Sequence, residues 1–287
     1  MIHYDLLTAV VLALLVAVVG MPHGGLDKLF GRAVLEPLVG WSWWLVFLGM
    51  YLGVAACVVV GWLYAPALTT TLFFLISAFH FGDADGRTGA LAVLEGGLVI
   101  WMTLLARPLE TATILAWIIP GGDPDGVLTV LVLLRPLLFM IAGLFAVHLV
   151  RLVIIGEWQT SVRLVLFAAA LAMLPVLVGF GLYFCGWHST REMISLARRA
   201  EPDSVRAGLI KVLRLAAPSA ALAVLATGLA AWWFAADRDL TPVVVQAVFL
   251  GLSSVAIPHI LLHAVARRLG ADPFAVESVP CPAVVTT

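Results

Sequence analysis

Charged side chains are scarce in this chain of 287 residues: Asp, Glu, Lys and Arg together make up 11% of it, and lysine occurs only at Lys28 and Lys211. The net charge of -1 leaves no basic face for a polyanion, which sets nucleic-acid binding aside. Cysteine is equally sparse. Cys57, Cys185 and Cys281 are odd in number and lack CxxC spacing, which excludes a disulfide framework and a thiolate metal cage and leaves Cys57 and Cys185 as buried apolar thiols. Internal repeats and low-complexity linkers are missing, so residues 1–270 read as one domain and residues 271–287 as a flexible tail. The N-terminal MIHYD has no basic leader, and the apolar run from Leu6 to Val19 enters MPHGGLD without a small-residue cleavage site, so it reads as a retained helix.

What the chain has in abundance is apolar surface, with 63% hydrophobic residues and a mean hydropathy of +1.10. This predicts an all-α, polytopic transmembrane bundle, because a helix needs about 20 apolar residues to cross the hydrocarbon core. Such spans run from Tyr4 to Met21, Trp41 to Tyr64, Ala67 to His80, Ala90 to Ala106, Val127 to Val150, Val162 to Phe180, Ala216 to Ala235 and Thr241 to Val265. The stretch Gly181 to Ala200 is undecided, giving eight or nine crossings, and Leu109 to Pro120 is a short re-entrant or interfacial helix between Pro108 and the turn-rich GGDPDG. With nine crossings, Lys28, Arg32, Arg87, Arg198, Arg199 and Arg267 share one face, whereas the other receives Arg107 and Arg238. Positive charge stays in the cytoplasm, so the N-terminus lies outside and the C-terminus inside.

On that topology His23 ends the first helix, His80 ends the third, His188 sits on a helix running the same way, and His259 lies near the end of the last, all in the cytoplasmic half. Ionisable groups at membrane depth are costly and face the bundle interior, so their convergence points to a shared ion. Neutral imidazole favours iron, zinc, copper or nickel, and a carboxylate can complete the set. Glu192, four residues after His188, lies on the same helical face. In MPHGGLD, Asp27 stands where it can orient His23; in FHFGDAD, Asp83 follows His80 by one turn. Each histidine taken singly also fits a helix end hydrogen-bonded to a neighbour. His263, one turn past His259, reads as interfacial, and His3 and His148 carry no assignment.

Together MPHGGLD, FHFGD, YFCGWHSTRE and IPH, in this order, resemble the Brp/Blh family of membrane-bound β-carotene 15,15'-dioxygenases. The resemblance implies an Fe(II) enzyme of bacterial or archaeal inner membranes. It would use O₂ to cut the central double bond of β-carotene into two molecules of retinal, which could pass to an opsin. It makes His23, His80 and His188 the catalytic metal ligands. The family's fourth histidine belongs four residues after His188, where this chain has Glu192. Three outcomes stand open: Glu192 binds the metal, which the unchanged spacing favours; His259 fills the vacancy while Glu192 acts from behind; or the original chemistry is lost.

A polyene substrate needs an apolar, aromatic pocket, for which Phe79, Phe81 and Trp187 stand beside the ligands, with Tyr183 as a hydrogen-bond donor to oxygen or aldehyde. Trp41, Trp43, Trp44, Trp232 and Trp233 read as interfacial belts. Competing classes fare less well. An opsin needs a lysine deep in a helix for its Schiff base, and neither lysine lies there. A desaturase-like oxygenase needs many histidine boxes, of which only HILLH is present. A divalent-metal transporter and a carotenoid- or retinal-binding homologue without cleavage activity remain the alternatives.

Overall fold

A computed structural model describes residues 4–235 and 238–274. His3, Cys281 and the tail from 275 onward lie outside the described residues. Within these the chain is helical throughout, without a β-strand. Helix α1 (Leu6–Leu15) passes through a wide turn, Val16–Gly20, and a tight one, Met21–Leu26, into α2 (Asp27–Val39). Gly40, at φ 61°, breaks the run, and α3 (Trp43–Tyr64) packs back against α2. Then come α4 (Pro66–Ala84), α5 (Gly89–Gly96), α6 (Leu98–Ala106), α7 (Pro108–Ile118), α8 (Pro124–Ile154) and α9 (Trp158–Met173). α10 (Val176–Gly181) continues through the wide-turned segment Leu182–Ser189 into α11 (Thr190–Ala200), and α12 (Val205–Phe234) and α13 (Leu240–Leu269) complete the chain.

Local chemistry sets these boundaries. Asp5, Asp123 and Asp239 cap α1, α8 and α13 by accepting backbone N–H groups. Pro66, Pro108 and Pro124 occupy first turns, where a missing N–H costs nothing. Among the described residues, five helical stretches, Leu6–Tyr64, Pro66–Ala84, Pro124–Ile154, Val205–Trp233 and Leu240–Leu269, are long and apolar enough to cross a membrane. A sixth forms if α5 and α6, bent by 51°, count as one span. The chain is thus a multi-pass helical membrane protein.

Three expectations need correction. The span expected from Val162 to Phe180 stops at Met173, because Leu174 before Pro175 is held extended at ψ 152°. Pro175 restarts the helix, so the undecided stretch Gly181 to Ala200 continues a helical run that begins at Val176. Similarly, His23 does not end the first helix. It lies in the tight turn by which α1 runs on into α2. Cys185 is buried as expected, but Cys57 is exposed on the outer face of α3.

α13 is the central pillar, in contact with α1, α2, α3, α7 and α12. α8 buries Leu131, Leu138, Phe145 and Leu152 in one stripe with a seven-residue repeat, and its other faces are exposed, as suits a helix bathed in lipid. Without an aqueous phase to drive them together, such helices associate through small residues that let backbones meet. Gly82 lies against the Ala92 backbone and Gly96 against Ala78, joining α4 to α5, and Gly25 lies against the Ala216 carbonyl of α12. Away from the histidine cluster, His148 Nε2 lies 2.7 Å from Glu95 Oε1, and Arg87 bridges Glu95 to Glu157. The unassigned His148 is therefore a buried partner that ties α8 to α5.

Candidate metal centre

Two of the segments with non-standard turns carry a histidine: His23 lies in the tight turn after α1, and His188 in the wide-turned segment before α11. Such irregularities re-aim side chains and recur at functional sites. His80 comes from α4 and His259 from α13, one residue past Pro258. The four imidazoles form a closed ring. Ring centres are 5.4 Å apart for His23 and His188, 5.1 Å for His188 and His80, 5.4 Å for His80 and His259, and 5.3 Å for His259 and His23. A nitrogen bonded about 2.1 Å from a metal leaves its ring centre about 3.2 Å away, so neighbouring imidazoles on one four-coordinate ion stand about 5 Å apart. His188 and His259 are buried, and His23 Nδ1 and His188 Nε2 are buried without a hydrogen-bond partner. Native interiors rarely leave such atoms unpaired unless something else takes the lone pair.

Behind His259 lies a second layer. Its Nδ1 is 2.7 Å from Asp27 Oδ1, and His263 Nε2 reaches the same oxygen at 3.2 Å. The Tyr51 hydroxyl lies 2.9 Å from Asp27 Oδ2. The donor atoms of Asp27, His259 and His263 all fall within 4.8 Å of one another, a set able by distance to hold a metal ion. Both imidazoles, however, share one carboxylate oxygen at hydrogen-bond lengths, the geometry of two N–H donors on an acceptor. That arrangement supports His259 and leaves its Nε2 unengaged.

Several expected residues are placed elsewhere. Asp27 contacts His259 and not His23, because the tight turn carries the carboxylate toward α13. Asp83 pairs with Arg267 at the end of α13 instead of His80. Phe79 is 41% exposed on the outside of α4, since adjacent helical positions point about 100° apart and His80 takes the inner direction. Trp187 is covered by the Arg163 and Arg191 guanidinium groups and abuts Phe167. Tyr183 is buried between Phe81 and Phe167. Glu192 is only partly buried and stands among charged neighbours, Arg191, Arg199, Arg267 and His259. The ring places His259, not Glu192, at its fourth corner.

Phe81 does reach the site, with its ring centre 4.6 Å from that of His188. It also lines an apolar cavity of about 70 Å³ between α4, α6, α7, α10 and α13, with Phe73, Ile114, Val176, Phe180 and Phe249 among its walls. Phe184, 6.0 Å from His188, stacks on Phe180 and continues this aromatic wall. Sequence reasoning missed Tyr51 and the inward role of His263. The spacing of His259 and His263 on one helical face was a signal for the second; nothing local marked the first.

A family profile described as "Beta-carotene 15,15'-dioxygenase" matches residues 14–266. The chain is 27% identical over 279 residues to the "Probable beta-carotene 15,15'-dioxygenase Blh" of Halobacterium salinarum, covering 85% of this chain and 79% of that protein. It is 26% identical over 258 residues to the "Beta-carotene 15,15'-dioxygenase" of the uncultured marine bacterium 66A03, covering 86% of this chain and 90% of that one. No solved structure matches. The motifs that gather these histidines thus lie inside a match running from the first helix to the last, and the chain belongs to the β-carotene 15,15'-dioxygenase family.

Proposed function

We propose that this protein is a non-haem iron dioxygenase that adds O₂ across the central double bond of β-carotene and releases two molecules of retinal, one oxygen atom in each. The observation that carries the reading is the closed ring of His23, His80, His188 and His259, four imidazoles brought from four separate elements with neighbouring centres 5.1 to 5.4 Å apart. These residues would hold Fe(II). An iron centre supplies the one-electron chemistry that triplet O₂ needs in order to react with a closed-shell alkene.

The protein's own part is to bind, orient and keep dry. Asp27 fixes the His259 ring through Nδ1. Phe81 and Phe184 flank His188 and join the ring to the apolar cavity. A cavity of about 70 Å³ holds only a portion of a C40 polyene, so the remainder lies along the bundle toward lipid, with the central bond beside the ring. Glu192, partly buried one helical turn after His188, acts from outside the ring.

The membrane arrangement follows the same reading. The protein is a multi-pass inner-membrane protein of a bacterium or archaeon, with eight or nine crossings, the N-terminus outside and the ring in the cytoplasmic half. The Arg199 and Arg267 end of the bundle lies on the ring's side, and Arg107 and Arg238 lie on the other. Released retinal is available to an opsin. Expression in a carotene-producing bacterium, followed by extraction and chromatography, tests the activity: about two retinals form per β-carotene lost. Apocarotenals of unequal length contradict central cleavage, and unchanged pigment with folded, iron-loaded protein favours a binding protein.

A further inference from the structure

Tyr51 lies on α3, outside every motif that points to the metal. Its hydroxyl is 2.9 Å from Asp27 Oδ2 and 3.1 Å from the Val255 carbonyl, one turn before His259 on α13. Its ring packs 5.4 Å from Phe47, which in turn fills the space that Gly31 leaves open on α2. Asp27 is only 3% exposed, so its lone pairs depend on protein donors. Oδ1 receives His259 and His263, and Oδ2 receives Tyr51.

We propose that Tyr51 is a positioning residue for the metal centre, acting through Asp27 on His259. This rests on the reading of His259 as an iron ligand. A hydroxyl has one proton, and the carboxylate is the nearer and charged acceptor, so the proton goes to Oδ2. With Oδ2 pinned by α3 and Oδ1 turned to α13, the carboxylate plane is fixed. His259 must then present Nδ1–H to Asp27, which keeps Nε2 as the bare nitrogen facing the ring. Without the hydroxyl, Oδ2 is buried with no donor, the carboxylate turns, and His259 loses its set orientation.

The test uses full-length wild type, Tyr51→Phe and, as a control, Tyr64→Phe, whose side chain is 85% exposed. Each is purified in detergent, loaded with ferrous iron and examined for iron affinity, for the EPR spectrum of its nitric oxide adduct, and for melting temperature. Tyr51→Phe is expected to bind iron about tenfold more weakly and to give an altered nitrosyl spectrum, while Tyr64→Phe matches wild type. Wild-type affinity and spectrum in Tyr51→Phe overturn the proposal, and a lowered melting temperature alongside them assigns Tyr51 to packing alone. Wild-type protein that takes up no iron overturns the proposed centre itself, and with it this role.

Discussion

His259 Nδ1 lies 2.7 Å from Asp27 Oδ1, although 232 positions separate the two residues in sequence. The contact joins the end of the first helical motif to the middle of the last helix, and it sets which nitrogen of His259 faces the ring. Replacing Asp27 with Asn puts an amide where the acceptor was and lets the imidazole flip. Asp27→Asn is expected to weaken iron binding about 10- to 100-fold, measured by metal analysis across a chelator series. Unchanged affinity would remove Asp27 from the centre.

Gly25 touches α12 closely enough that a methyl group there would sit 2.6 Å from the Ala216 carbonyl oxygen and 3.0 Å from its Cβ. Backbone cannot yield as a side-chain tip can, so Gly25→Ala must push the His23 turn away from α12. A cost of about 1–3 kcal/mol is expected in thermal unfolding, together with reduced iron content. Wild-type values for both would show that the turn has room to spare.

Phe79 and Phe81 make a matched pair, one facing outward and one against His188. Phe81→Ala removes a wall of both the ring and the cavity, and it is expected to keep its iron while losing about tenfold or more in retinal formation through misplacement of the polyene. Phe79→Ala is expected to stay within about twofold of wild type, as surface changes usually do. Equal losses in the two variants would detach the cavity from the substrate.

Much of the architecture and of the histidine set was legible in the sequence, because apolar runs report membrane spans and His23, His80, His188 and His259 each sit in a distinctive local motif. The misses share a cause: they depend on pairings between distant segments. Spacing along one helix singled out Glu192 beside His188 with His259 as the alternative, and it is the packing of α13, which no i, i+4 rule can reveal, that brings the His259 ring beside those of His23 and His80. Asp27 was read with its near neighbour His23, while the fold turns it to His259. Pro175 carried a readable break that the continuous hydropathy of Val162 to Phe180 concealed.

His148 and Glu95 offer a control that lies outside the ring. Both are buried and they bond at 2.7 Å, so His148→Ala leaves Glu95 with Arg87 alone. Destabilisation of about 1–3 kcal/mol is expected in detergent unfolding, with iron content unaltered. Loss of iron in this variant would show that the two clusters are coupled.

The central claim is that four histidines, and not Glu192, hold the iron. Metal content per chain, measured on purified wild type and on His23→Ala, His80→Ala, His188→Ala, His259→Ala and Glu192→Gln, tests it most directly. The account predicts about one iron in wild type and Glu192→Gln and near-complete loss in each histidine variant. Full iron in His259→Ala together with loss in Glu192→Gln would contradict it.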